Sequence, residues 1–499
     1  MAEAASGYQI PLKTKLAFGI GASGESITNF AFATYTFFFY NQVLGLSGTL
    51  AGLATTISIC FDAVSDPLVG SLSDRLRSRL GRRHPFMYAA AIPLGIVYFC
   101  IFSPPTGLSE WALFAWFTGF SVLMRLLLTC FAIPHLALGA ELSEDYLQRS
   151  TIMSYNAIFG WVGGASIFLI ANLVYFSRSP GFDNGLLNGA AYPEFGLTAS
   201  LLITSCILLS AWWTRDQIPR LPQVDKNAPP FGLAVLFKEL GQAIGNRNYL
   251  VLLLGLFCLS LTLGTRETIN LHMNTFFWEL VPEELVWFAL GSGLGFVFAF
   301  SATRRFHDRY DKRTTAMGAL VFLSLFAAAP VVGRMLGIMP GNDDPWLLPI
   351  LVFFSGAGYC TGAILNISVM SMLADIADQH ELKTGLRKEG IFYSARAFFG
   401  KATSALGHLI GGIAIDVIGF PTGAQPGTVD EEILFELGLI DGPIAAIPAL
   451  IAIYFYARYS ITRAEHREIR RALDARAGKG VAAESDTSDE PATGRLPAG

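Results

Sequence analysis

Charge is what this chain has least of. Only 15% of its 499 residues are Asp, Glu, Lys or Arg, where a water-soluble protein carries about a quarter. Cysteine is scarce too. The six (Cys60, Cys100, Cys130, Cys206, Cys258, Cys360) fall inside apolar stretches. Their spacing matches no metal motif and none sits in an outer loop where a disulfide would form, so they read as small packing residues. There is no Walker sequence, no dinucleotide glycine pattern and no metal-spaced His/Cys cluster. Those absences argue against an enzyme, a bound cofactor or nucleotide-driven work. Met1–Lys15 is polar without a separate apolar core, so no cleavable signal peptide is expected.

What is present is apolar length. The chain is 52% hydrophobic, with 39 Phe, and stretches of roughly 20 or more apolar residues recur along it. They fall near 14–45, 49–73, 85–104, 110–140, 149–177 and 193–214, then near 248–278, 284–304, 314–336, 346–376, 391–419 and 439–460. The expectation is an all-α membrane protein with twelve transmembrane helices in two six-helix halves. The halves cover residues 1–214 and 248–463, with a cytoplasmic linker at 215–247 and a disordered cytoplasmic tail at 464–499. A short surface helix is expected near Phe231–Gly245. Basic residues crowd alternate loops: Arg75, Arg77, Arg79, Arg82 and Arg83; Arg304, Arg305, Arg309, Lys312 and Arg313; Lys383, Arg387 and Lys388. The loops Ser103–Glu110 and Glu279–Glu284 are acidic or nearly uncharged. The positive-inside rule therefore puts both termini in the cytoplasm.

The halves read as a diverged repeat. Gly70-Ser71-Leu72-Ser73-Asp74-Arg75 and Gly81-Arg82-Arg83 follow the second span. Arg305-Phe306-His307-Asp308-Arg309 and Lys312-Arg313 follow the eighth. Ala140-Glu141 ends the fourth span, and Ala374-Asp375 ends the tenth. Two such halves are the pattern of major-facilitator transporters. Gly70, Asp74, Arg75, Arg82, Arg83, Asp308 and Arg309 are the candidate gating residues.

Two aspartates inside an apolar helix carry the chemistry. In Phe61-Asp62-Ala63-Val64-Ser65-Asp66-Pro67 the i,i+4 spacing puts Asp62 and Asp66 on one face. A carboxylate at mid-bilayer costs about 2.5–3.5 kcal/mol on insertion scales, and Pro67 frees the carbonyl of Ala63. An anionic, oxygen-rich pocket suits a sodium ion or a relayed proton. The competing reading is an interhelical salt bridge that only holds the bundle together.

The segment Asp62–Pro67, with Ser73-Asp74-Arg75 and Gly81-Arg82-Arg83-His84-Pro85, resembles the glycoside–pentoside–hexuronide:cation symporters, the melibiose-permease relatives. Ala374-Asp375-Ile376-Ala377-Asp378, Lys383-Thr384-Gly385 and Arg387-Lys388-Glu389-Gly390 resemble the same family. The likeness spans about residues 13–460. It implies a twelve-helix transporter whose helix 2 carboxylates, here Asp62 and Asp66, bind Na⁺, Li⁺ or H⁺. Ser58 and Thr129 join them as candidate cation ligands. Lys401 matches a family lysine inside helix 11. It lies twelve residues past Glu389, roughly 18 Å along the helix, and Asp66 lies nine residues before Arg75, roughly 13 Å. Both depths are near mid-membrane, so Lys401 is expected to pair with the helix 2 carboxylates.

Three positions depart from the family. Its sugar-binding acid on helix 1 falls at Ser26, its acid on helix 4 at Ala132, and its helix 5 arginine at Asn156. Ala132 cannot hydrogen-bond. Glu25, Arg125 and His135 stand in or near the same helices, and Arg125 must find a carboxylate or carbonyl, either of the protein or of an anionic substrate. Arg266, Glu267, Asn270, His272 and Asn274 form a polar run on helix 7 that lines the cavity in this reading. The candidate substrate residues are Glu25, Ser26, Arg125, Asn156 and Lys401. The expected function is cation-coupled symport of a sugar or glycoside by a monomer in a cell membrane, with no nucleic-acid partner. The missing acid at Ala132 favours H⁺ over Na⁺. An amphipathic or anionic solute such as a lysolipid, and a transporter-like sensor that moves nothing, are the alternatives.

Overall fold

A backbone surrounded by apolar side chains and lipid must satisfy its amides internally, and helices do so within one segment. The computed structural model describes residues 9–143, 145–221, 241, 244–385 and 389–487, and these are almost wholly helical. The first group comprises α1 (Leu12–Phe38), α2 (Gly48–Arg75), α3 (His84–Phe102), α4 (Glu110–Glu141), α5 (Tyr146–Ile170) and α6 (Ala191–Thr214). The second comprises α7 (Arg247–His272), α8 (Pro282–Arg309), α9 (Lys312–Met335), α10 (Leu347–Thr384), α11 (Glu389–Val417) and α12 (Glu431–Tyr456). Eleven described helices are long and apolar enough to cross a bilayer. The remaining one, α1, is as long, but its Gly, Ser and Thr residues dilute its hydropathy.

Several expected boundaries move for local reasons. α10 runs eight residues beyond the expected 376, to Thr384, and stops at Gly385, whose φ of 73° only glycine adopts freely. α12 begins at Glu431, ahead of the expected 439, through a π turn at Ile440–Ile444 that accommodates Pro443. α1 and α7, counterparts in the repeat, both end in π turns, at Phe39–Val43 and Met273–Phe277. The tail expected to be disordered contains α13 (Arg463–Thr487). Its sequence is rich in Ala, Arg and Glu, good helix formers. Its first turns are anchored, with His466 3.1 Å from Asp378 and 3.2 Å from Asp375. The surface helix expected at 231–245 falls almost entirely outside the described residues, as do Arg387 and Lys388.

α11 positions the centre of the molecule. It packs extensively on both α2 and α7, and glycines make both approaches close. A Cβ on Gly264 would lie 2.6 Å from the Ser404 carbonyl, and one on Gly52 would lie 2.8 Å from the His408 carbonyl. Small-residue faces of this kind let apolar helices associate without a hydrophobic driving force. α11 thereby links the two helical groups and carries Lys401 between them.

The end remote from the basic loops is tied across the groups. Both oxygens of Asp416 on α11 accept from the first turn of α2, Oδ1 from Gly48 N and Oδ2 from Thr49 N, each at 2.7 Å. A carboxylate there also meets the positive end of the α2 dipole. Beside it, buried His272 Nε2 lies 2.9 Å from Asn41 Oδ1, and Gly423 N donates to the Gln42 carbonyl at 3.0 Å.

Candidate cation and substrate site

The two aspartates and the lysine meet at the centre. Asp62 is buried and Asp66 mostly so; they lie one turn apart on the α2 face that meets α4 and α11. Lys401 Nζ reaches Asp62 Oδ2 at 2.8 Å and also pairs with Asp66 Oδ2. From α4, Thr129 Oγ1 lies 3.0 Å from Asp62 Oδ1 and 3.0 Å from Asp66 Oδ1. One ammonium and one hydroxyl thus hold all four carboxylate oxygens.

This geometry has a charge and a proton deficit. Two carboxylates against one ammonium leave one net negative charge in a low-dielectric interior. Thr129 has a single hydroxyl hydrogen, so with both aspartates ionised only one of its two contacts is a hydrogen bond. A proton on either carboxyl would supply the missing hydrogen. A monovalent cation would remove the charge.

The other sequence candidates are placed less uniformly. Ser58 is buried, but its hydroxyl donates to the Thr55 carbonyl at 2.8 Å. Ser65 Oγ, by contrast, lies 3.5 Å from Thr129 Oγ1. Glu25 is close enough for its charge to act on Lys401, Asp66 and Asp62. Ser26 packs against Gly160 of α5, and one turn away Asn156 has a buried Oδ1 with no partner. Arg125 does not pair with either aspartate: Nη1 donates to Asn29 Oδ1 at 2.9 Å and the guanidinium lies over the Phe32 ring. His135 is a packing residue, stacked between Phe18 and Phe131 with Nε2 2.9 Å from the Phe18 carbonyl.

At the basic-loop end, Asp74 and Glu141 clamp Arg83 at 2.5 and 2.6 Å, while Arg82 reaches Glu141 at 2.8 Å. Gly70 accepts from Ser73, which in turn accepts from Arg83 at 2.7 Å. Arg75 belongs to this end and is also partnered. The second group repeats the clamp with different residues. Lys312 holds Asp375 at 2.7 Å, while the carboxylate of Asp308 is largely exposed and Arg309 lies over Tyr310. Lys312 and Asp375 were absent from the sequence-based gating set, although the repeat alignment pairs them with Arg82-Arg83 and Glu141.

Sequence reasoning also missed Asn29, His408 and Asp441. Spacing could have found two of them, since Asn29 is Glu25 plus four and His408 is Lys401 plus seven, each one helix face. Asp441, the partner of Arg266 at 3.0 Å, had no local signal.

Residues 17–463 match the family model described as MFS/sugar transport protein. The chain belongs to that family. An uncharacterized symporter of Synechocystis sp. is 26% identical over 95% of this chain and 99% of its own length. An isoprimeverose transporter of Lactiplantibacillus pentosus is 22% identical over 82% and 81%. Among solved structures, the nucleoside transporter NupG superposes with a TM-score of 0.61 at 15% identity, covering 89% of this chain and 99% of that one. The xylose transporter XylE from E. coli gives 0.55 at 12% identity over 90% and 95%. These two share the fold. The family agrees with the resemblance read from α2 and α10: this is a multi-pass membrane transporter for a small-molecule substrate.

Proposed function

We propose that the protein is a cation-coupled symporter of a sugar or glycoside, working as a twelve-span monomer with both termini cytoplasmic. The observation that carries this is the Asp62–Asp66–Lys401 cluster, one positive charge short of neutrality at the junction of α2, α4 and α11. One H⁺ or Na⁺ would neutralise it and free Lys401 to exchange partners. The proton deficit at Thr129 favours H⁺. Coupling follows because α11 touches both helical groups, so a change in what Lys401 holds alters how the groups meet. Residues 1–214 and 248–463 are the two moving halves in this reading.

In proteoliposomes, a transported glycoside should drive cation entry, read by an internal pH dye or by ²²Na⁺ uptake. No glycoside-dependent movement of either cation would overturn the proposal. Topology has its own check. A Ser78→Cys variant, exposed on the α2–α3 loop, should react with an impermeant maleimide in inverted vesicles and stay unreacted in intact cells. The opposite pattern would reverse the orientation.

A further inference from the structure

Two interior charges make no direct contact with the aspartate–lysine cluster. Arg125 stands one turn from Thr129 on α4. Its Nε is buried without an acceptor, and no carboxylate lies within ion-pair distance of its guanidinium among the described residues. A guanidinium inside a helical bundle is costly unless its donors are used. Glu267 is the second. On α7 it shares an open face with Leu263 and Asn270, and 47% of its side chain is exposed despite the burial of the helix around it. The charge of Asp62, and after it those of Glu267 and Asp66, act on Arg125, yet none of them forms an ion pair with it. Arg125 comes from the first helical group and Glu267 from the second.

His408 stands beside Glu267. Its Nδ1 lies 2.8 Å from Thr268 Oγ1, which also lies 3.0 Å from the Gly264 carbonyl. The hydroxyl has one hydrogen for these two contacts, so the ring carries its proton on Nδ1 or on Nε2 according to which of them it serves. Nε2 lies 3.7 Å from Glu267 Oε2, beyond hydrogen-bond distance. Among the described residues no donor reaches the Glu267 carboxylate at hydrogen-bond distance, while Arg125 on α4 keeps a spare donor.

We propose that Arg125 and Glu267, with His408, form a clamp for a neutral polyhydroxylated substrate. One sugar oxygen accepts from Arg125, a neighbouring hydroxyl donates to Glu267, and His408 Nε2 accepts from or donates to a further sugar oxygen in the tautomer the sugar selects. The substrate then bridges the two helical groups, which makes its arrival a closing force on the transporter. A neutral solute is specified because the charges of Asp62, Glu267 and Asp66 all act on Arg125, leaving no surplus positive charge for a carboxylate or sulfonate. This deepens the symport reading and rests on it: Glu267 and His408 become specificity-determining residues contributed by α7 and α11.

The test measures binding of a defined probe set to the purified full-length protein in nanodiscs: methyl β-D-xyloside, methyl α-D-glucoside, melibiose and D-glucuronate. At least one neutral glycoside should bind more tightly than D-glucuronate. Glu267→Gln should weaken it about 10- to 100-fold, the range for one lost charge-assisted hydrogen bond. Arg125→Lys, which keeps the charge and loses Nε, should weaken it similarly. A deoxy analogue lacking the contacted hydroxyl should lose affinity for the parent protein and little more for Glu267→Gln. Cation binding, followed as proton release or ²²Na⁺ retention, should be unchanged in Glu267→Gln, which a global folding defect would not allow. Parent-like affinity in both variants, or tighter binding of D-glucuronate, would overturn the clamp while leaving cation-coupled transport standing. If no probe binds the parent protein and none drives cation entry, the clamp and the symport reading fall together.

Discussion

Asp66→Asn should abolish accumulation of solute against its gradient while leaving exchange down the gradient. The substitution preserves shape and removes one negative charge. What remains, Asp62 with Lys401 at 2.8 Å, is electrically neutral without any added cation, so the empty and loaded sites no longer differ by a bound ion. Coupling depends on that difference. The accumulation ratio under an imposed gradient should fall to near one, where a gradient of one pH unit would otherwise sustain about tenfold. Asp62→Asn should do the same and should also cost stability, because Asp62 is the more buried carboxylate. The measurement is gradient-driven uptake beside counterflow in the same vesicles. If both variants concentrate solute as the parent does, the coupling site lies elsewhere.

Lys401→Ala should be the more damaging change to the protein itself. It leaves two carboxylates one turn apart with no counter-charge. Breaking a buried pair from one side costs about 3–5 kcal/mol, since the penalty is an uncompensated interior charge. Coupled uptake should be lost. The melting temperature should fall, and it should recover at acid pH or high Na⁺ more steeply than that of the parent, because an external cation then performs the neutralisation that Lys401 performed. A variant with unchanged stability and intact coupled uptake would show that the lysine is dispensable to the aspartates.

Much of this site is visible in the linear chain because membrane interiors make charge expensive. A carboxylate pair inside Cys60–Val69, a lysine twelve residues past Glu389 and an arginine flanked by leucines each stand out against apolar neighbours. Depth arithmetic then puts both Asp66 and Lys401 near mid-membrane, and the structure pairs them there. The same logic found the polar run of α7 without ranking Glu267 above Asn270 or Asn274. Loop gating was harder to read. Asp308 aligns with Asp74, yet the clamp in the second group is Lys312 with Asp375, since pairing at helix ends is set by how neighbouring helices are angled.

By itself, the sequence determined the all-helical membrane class, the family, and the presence of carboxylates that need a cation or a cationic partner. Those follow from composition and from one-dimensional spacing, because lipid penalises every unsatisfied polar group wherever it falls in the chain. The partners were decided by tertiary structure alone. Thr129 bridges both aspartates rather than one, and Arg125 turns to Asn29 rather than to a carboxylate. Asp416 ties α11 to the first turn of α2 across more than 360 residues of sequence. Each of these depends on the rotation and close approach of neighbouring helices, a geometry that emerges only when α4 packs on α1 and α2, and α11 on α2.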